Sequence, residues 1–202
     1  MSGSQDGAGR VRRVVTGVGE QGRSRIVSDG LAPNTFRSPD VEGFASSVAW
    51  FSPAGPVSND GDHDTAAGDV VIPMSPDLGE VIFRVADFPP DEAYGTAGED
   101  GLFGSITGGD EARDGATHSG DKHFWFHKTD SIDFAVVLDG EIWLLLDDDE
   151  CLLRAGDVVV QRGTAHSWSN KSDRTCRMAF VLLGALPVRA GESAEDALAG
   201  HP

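Results

Sequence analysis

Three kinds of side chain in this sequence have the type and setting to do chemistry. His127 and His166 each stand in a strand-like stretch, with Trp125 two places before the first and Trp168 two places after the second. Imidazoles so placed are either hydrogen-bonded core or metal donors. Asp133 lies inside the apolar run Ile132 to Leu138. A carboxylate taken out of water needs a metal, a base or strong hydrogen bonds; its plainer role is a strand-edge residue bonding backbone. Arg162 and Arg84, also in apolar runs, can clamp an anionic substrate group through the guanidinium fork or pair with surface acids. The run Asp147 to Glu150 reads as a solvated hairpin turn. No glycine-rich phosphate loop, nucleophile elbow or redox cysteine pair is present. Cys151 and Cys176, each in an apolar strand-like run, read as buried free thiols.

The elements that must position these groups are β-strands. Residues 122–186 hold five or six apolar runs at short spacing, with turns at Asp139-Gly140, Asp147 to Asp149 and Ala155 to Asp157. Parallel strands need long crossovers, and none fits between these runs, so the strands are expected to be antiparallel. An all-β sandwich or barrel follows. Shorter β-runs precede them at Val11 to Val15, Ser24 to Val27, Val48 to Phe51 and Val81 to Val85. Residues 91–121, rich in Gly, Asp and Glu, read as a flap or insertion. On an unbroken strand His123, Trp125, His127 and Thr129 share one face. His123 would then lie about 13 Å from His127, too far to share one ion with it, and would line the pocket or serve the structure.

Composition narrows the partners. The 202 residues include 39% hydrophobic and 24% charged residues, as in a globular chain. Sixteen basic against 33 acidic residues give a net charge of −17, which argues against nucleic acid and anionic membranes as partners. No apolar stretch suits a transmembrane helix, and the first residues lack a secretory signal's apolar core, so the expected location is cytoplasmic.

The stretch from His127 to Asn170 resembles the cupin superfamily. Cupins carry two motifs, roughly G-x5-H-x-H-x3,4-E-x6-G and G-x5-P-x-G-x2-H-x3-N. His127, Asp133 and Gly140 fit the first; Gly163, His166 and Asn170 fit the second. Thr129 stands where the first motif has its second His, Asp133 where it has Glu, and Gln161 or Arg162 where the second has Pro. The resemblance implies a jelly-roll β-barrel with a divalent transition metal (Fe, Zn, Ni, Cu or Mn) at its mouth. Carried over, the metal ligands are His127, Asp133 and His166, with Asp133 and Arg162 as catalytic residues. His123, Trp125, Thr129, Trp168 and Arg84 would form the substrate pocket.

The expected organisation is a disordered start (1–10), one cupin domain (11–190) with its core at 122–186 and an insertion at 91–121, and a tail (191–202). The earlier strands form an N-terminal arm that adds to the sheets or wraps a neighbour, giving a homodimer. The expected function is a metal-dependent enzyme acting on a small organic acid or an aromatic or polyketide-type molecule, by dioxygenase, decarboxylase or isomerase chemistry. The alternative is a barrel that binds a small molecule without catalysis.

Overall fold

The computed structural model describes residues 7–68, 70–97, 106–109, 112 and 123–189. Residues 1–6 of the expected disordered start, most of the 98–121 part of the insertion, and the 191–202 tail lie outside them. Eleven strands are described: β1 (Arg12–Val18), β2 (Ser24–Leu31), β3 (Asn34–Arg37), β4 (Ala45–Ser52), β5 (Val81–Phe88), β6 (Ser131–Asp139), β7 (Glu141–Leu145), β8 (Glu150–Arg154), β9 (Val158–Arg162), β10 (Ser167–Ser169) and β11 (Cys176–Gly184). All their pairings are antiparallel, as the short connections require. A 3-10 segment, Asp91–Ala97, follows β5. Among the described residues no helix is long and apolar enough to cross a membrane.

Six strands form one sheet in the order β3-β4-β5-β11-β6-β9, and three form another, β10-β7-β8. Strand alternation sets their inner faces. Along β6, Ser131, Asp133, Ala135 and Val137 are buried while Phe134 and Leu138 are exposed. Met178, Phe180 and Leu182 of β11 turn inward beside them, and Ile142, Leu144 and Trp168 enter the same core from the smaller sheet. Part of the expected arm thus joins the main sheet. β1 and β2 pair only with each other, and Asp87 holds them near the body: it accepts from Gly9 N–H (2.6 Å) and from both Nε and Nη2 of Arg177.

Two glycines of the motif region have a backbone reason. Gly140 turns β6 into β7 with φ 82°, and a Cβ there would lie 3.0 Å from Thr175 O and Cys176 Cα. Gly163 takes φ 55° between β9 and His166. β3 was not expected, because Ala32-Pro33-Asn34 reads as a turn. The proline precedes the strand, where its missing N–H costs no ladder bond.

Candidate functional site

His127 and His166 face each other across an antiparallel bridge made by these two residues alone. Each N–H donates to the other's carbonyl at 2.9 Å. Directly paired residues project their side chains to the same face, and the two rings lie 4.2 Å apart between centroids. Both residues are buried.

The rings are also fixed in tautomer. His127 Nδ1 lies 2.8 Å from Trp125 O, and His166 Nδ1 lies 3.0 Å from Thr164 O. A carbonyl oxygen only accepts, so each Nδ1 carries the proton and each Nε2 carries the lone pair. Burial pulls His127 down to about 4, against the help of the Trp125 carbonyl, with the nearby Arg84 charge pulling the same way as burial. His166 is likewise held well below the usual range by burial and by His127 beside it. At neutral pH both imidazoles are uncharged.

The pair is part of a closed belt of rings. From His127 the belt passes to Trp125 (5.8 Å), Phe44 (5.5 Å), Phe88 (5.9 Å), Phe180 (6.3 Å), Trp168 (5.7 Å) and back to His166 (5.7 Å). These rings line part of the wall of a partly open cavity of about 110 Å³. An apolar cavity of ~150 Å³ takes benzene, so the space is on the scale of one small ring. Phe44, Phe88 and Phe180 were not singled out in the sequence. Phe88 and Phe180 lie on β5 and β11 and Phe44 just before β4, far apart in the chain, and no local pattern marks them as neighbours.

Of the expected pocket residues, Trp125, Thr129, Trp168 and Arg84 line this cavity, and so does Asp133. Thr129 Oγ1 hydrogen-bonds to Ser131 Oγ at 2.8 Å. Asp133 enters from β6. Its Oδ1 is shielded from solvent and has no hydrogen-bond partner. Burial pushes its carboxyl up to about 6, while the Ser131 hydroxyl and the Arg84 charge hold it lower. Arg84, on β5, donates from Nη2 to Pro73 O (2.7 Å) and from Nη1 to Met74 O (3.2 Å). Burial lowers its guanidinium to about 10, opposed by the charge of Asp133, and it remains a cation at neutral pH.

Two expected residues are elsewhere. Arg162 is exposed on the outer side of β9, and Gln161 takes the inward position opposite Asp133. Arg162 therefore has no access to the cavity as a catalytic group. His123 is not on a strand running into His127: residues 123–126 form a turn closed by Phe126 N–H to His123 O (3.0 Å). That turn takes the His123 ring out of the cavity. Its Nδ1 meets Ser167 Oγ at 2.7 Å and its Nε2 lies 3.2 Å from Asp91 Oδ2. Asp91 also accepts from Ser169 Oγ and Asn170 N–H, so His123 serves a structural cluster that anchors the Asp91–Ala97 segment. Asn170 belongs to this cluster too, donating its amide to Phe88 O and Arg174 O.

The donor chemistry suits a divalent transition ion in part. Two neutral imidazoles present Nε2 lone pairs while each Nδ1–H is tied to a carbonyl, the outer bond that orients metal-bound histidines. Asp133 supplies an unpartnered carboxylate oxygen in the same cavity. Among the described residues, however, no three of His, Cys, Asp and Glu stand close enough together to form an ion site.

The described residues form antiparallel β-structure around a buried histidine pair and an aromatic-lined cavity. Residues 116–182, a third of the chain, match the cupin domain family, and this part of the chain is a cupin domain. It is 56% identical over 64 residues to phomopsin biosynthesis cluster protein C' of Diaporthe leptostromiformis, a match covering 31% of this chain and 34% of that protein. It is 28% identical over 181 residues to the cupin-domain-containing oxidoreductase fogC of Aspergillus ruber, covering 88% of this chain and 74% of that one. The chain thus spans about a third of the length of the first curated relatives it matches. Among solved structures, a putative ethanolamine utilization protein from Salmonella typhimurium covers 87% of this chain and 98% of its own, at 11% identity and a TM-score of 0.39. At that distance the likeness adds nothing to the argument.

Proposed function

We propose that this cupin is an enzyme of the oxidoreductase kind that transforms one small, largely apolar, ring-sized molecule inside the barrel. The observation that carries the reading is the bridge-held pair His127 and His166, neutral and oriented, set into the belt of aromatic rings. Neutral imidazoles lining a cavity, with each Nδ1 tied to a carbonyl, have the form in which histidine serves as a ligand or a proton acceptor. The names of several relatives, cupin-domain-containing oxidoreductases and proteins of biosynthesis clusters, support the same class.

His127 and His166 would be the pair that holds a divalent transition metal; Asp133 lines the same cavity without completing a three-residue set with them. A bound ion of this kind polarises a carbonyl or activates dioxygen. The chain's own contribution is positional. The aromatic belt excludes water and holds a planar substrate against the two imidazoles. The Trp125 and Thr164 carbonyls keep both rings in one tautomer.

The test is metal content of the purified protein, by mass spectrometry, before and after reconstitution with Fe, Zn, Ni, Cu and Mn in turn. One tightly held equivalent is expected, lost in His127→Ala and in His166→Ala. A wild-type protein that takes up none of the five sinks the metal-dependent reading. The non-catalytic binding barrel would then be preferred. It is favoured by the absence of a three-donor group among the described residues and by the bonding of Thr129 to Ser131 instead of toward a ligand.

A further inference from the structure

Two charged side chains on the inner wall are each short of one partner. Arg84 spends Nη1 and Nη2 on the carbonyls of Met74 and Pro73, and its Nε is shielded from solvent without a hydrogen bond. Asp133 Oδ1 is shielded and unpartnered in the same way. Register puts both on one inner face. Arg84 pairs with Phe180 across β5 and β11, and Asp133 pairs with Leu182 across β6 and β11. They are thus two strands apart and displaced by two residues, with β11 between them. Both line the ring-sized cavity. The two orphan atoms do not satisfy each other, and buried polar atoms are rarely left so unless something else pairs with them.

This inference rests on the reading of the cavity as a substrate site and names the substrate class. We propose that Arg84 and Asp133 jointly read one uncharged, ring-sized molecule bearing a carbonyl-type oxygen and a hydroxyl. Arg84 Nε–H donates to the carbonyl oxygen, and Asp133 Oδ1 accepts from the hydroxyl. The guanidinium and the carboxylate balance each other's charge inside the wall. A carboxylate ligand would add a third charge beside Asp133, in a chain already at −17. The anionic substrate group expected from the sequence at Arg84 is therefore replaced by a neutral acceptor. The aromatic belt fixes the size and planarity of the rest.

The experiment is calorimetric titration of the full chain with the three isomeric hydroxyacetophenones, acetophenone, phenol and 4-hydroxybenzoate, with metal content measured on the same samples. At least one hydroxyacetophenone should bind tenfold or more tighter than both acetophenone and phenol; tenfold corresponds to about 1.4 kcal/mol. The 4-hydroxybenzoate anion should bind more weakly than that isomer. Asp133→Leu should abolish the preference over acetophenone while acetophenone still binds. Arg84→Met should abolish the preference over phenol; if it does not fold, Asp133→Leu alone decides. Equal affinities, no binding at concentrations on the order of 10 mM, tightest binding of the anion, or a preference that survives Asp133→Leu would each overturn the proposal. Loss of a bound metal in Asp133→Leu would assign Asp133 to the ion and overturn it as well. A metal-free wild type that keeps the preference would sink the metal-dependent reading and leave this one standing.

Discussion

The state of the histidine pair can be read through the stability of the protein. His127 is held neutral in the fold, at about 4 against 6.5 for an ordinary imidazole. Below pH 6.5 the unfolded chain binds a proton that the folded chain refuses, so this residue makes stability fall as pH falls. Integrated between those two values, the loss from His127 alone is about 1.3 kcal/mol on going from pH 7.5 to 5.5, and about 3 kcal/mol by pH 4. His166 is shifted in the same direction and adds to the effect. The other carboxylates also respond to acid, so the term must be isolated by difference. His127→Gln removes the titrating ring and leaves the rest. It is expected to be less stable than wild type at pH 7.5, because the contact with Trp125 and the Nδ1 bond to its carbonyl are lost. That deficit should shrink by about 1.3 kcal/mol at pH 5.5. Urea unfolding of chelator-treated protein at pH 7.5, 6.5 and 5.5 measures it, with His166→Gln as a parallel variant expected to behave with the same sign. A deficit that stays constant across this window would mean that the folded state protonates the ring as easily as water does. The argument that the pair is neutral by burial would then fail.

Asp133 should show the opposite sign. Its carboxyl is raised from 3.8 to about 6, so the fold loses stability as pH rises through that interval. Asp133→Asn should therefore stabilise the metal-free protein at pH 7.5 by about 2–3 kcal/mol, a gain that disappears near pH 4; no gain at pH 7.5 in urea unfolding would refute the burial penalty. Asp87→Ala should cost about 3 kcal/mol, because it strands the Arg177 guanidinium and the Gly9 N–H. In a double-mutant cycle, Asp87→Ala with Arg177→Ala should cost clearly less than the sum of the single changes; strict additivity would show that the pair does not act as a unit. Gly140→Ala forces a Cβ into a left-handed turn against Thr175 and Cys176 and should lower Tm by about 4–6 °C, measured by thermal unfolding; an unchanged Tm would show that the turn relaxes freely.

How much of this was legible in the sequence depends on what kind of signal each residue carries. The second half of the chain was readable as antiparallel β-structure because its turns are marked locally, by Asp139-Gly140 and Ala155-Gly156-Asp157, and its connections are too short for crossovers. His127 and His166 were readable because their spacing to Gly140, Gly163 and Asn170 follows the two cupin motifs. Phe44, Phe88 and Phe180 were not, because what makes them a belt is the registry of β5 with β11 and the folding of the segment before β4 onto both, which no local pattern records. His123 failed for a related reason. The alternation argument needs an extended backbone, and the turn at residues 123–126 breaks it just before the bridge.

Arg162 is the most instructive case. The run Val158-Val159-Val160-Gln161-Arg162 begins with three valines, so nothing in it marks which of its two faces is apolar. Val158 and Val160 are exposed and Val159 is partly buried, the reverse of what a reader placing the first valine inward would conclude. The phase is set by the partner strand, where Asp133 pairs with Gln161 and Ile132 with Arg162. A slip of one residue carries every side chain to the other side of the sheet. Choosing Arg162 over Gln161 therefore moved a guanidinium from the solvent face into the cavity. The same rule places Arg84 firmly: it pairs with Phe180, whose ring lies in the aromatic belt, so its side chain must share that inner face. Of the two arginines the sequence offered for the cavity, only the one whose neighbour's face is fixed by packing is positioned to meet a ligand there.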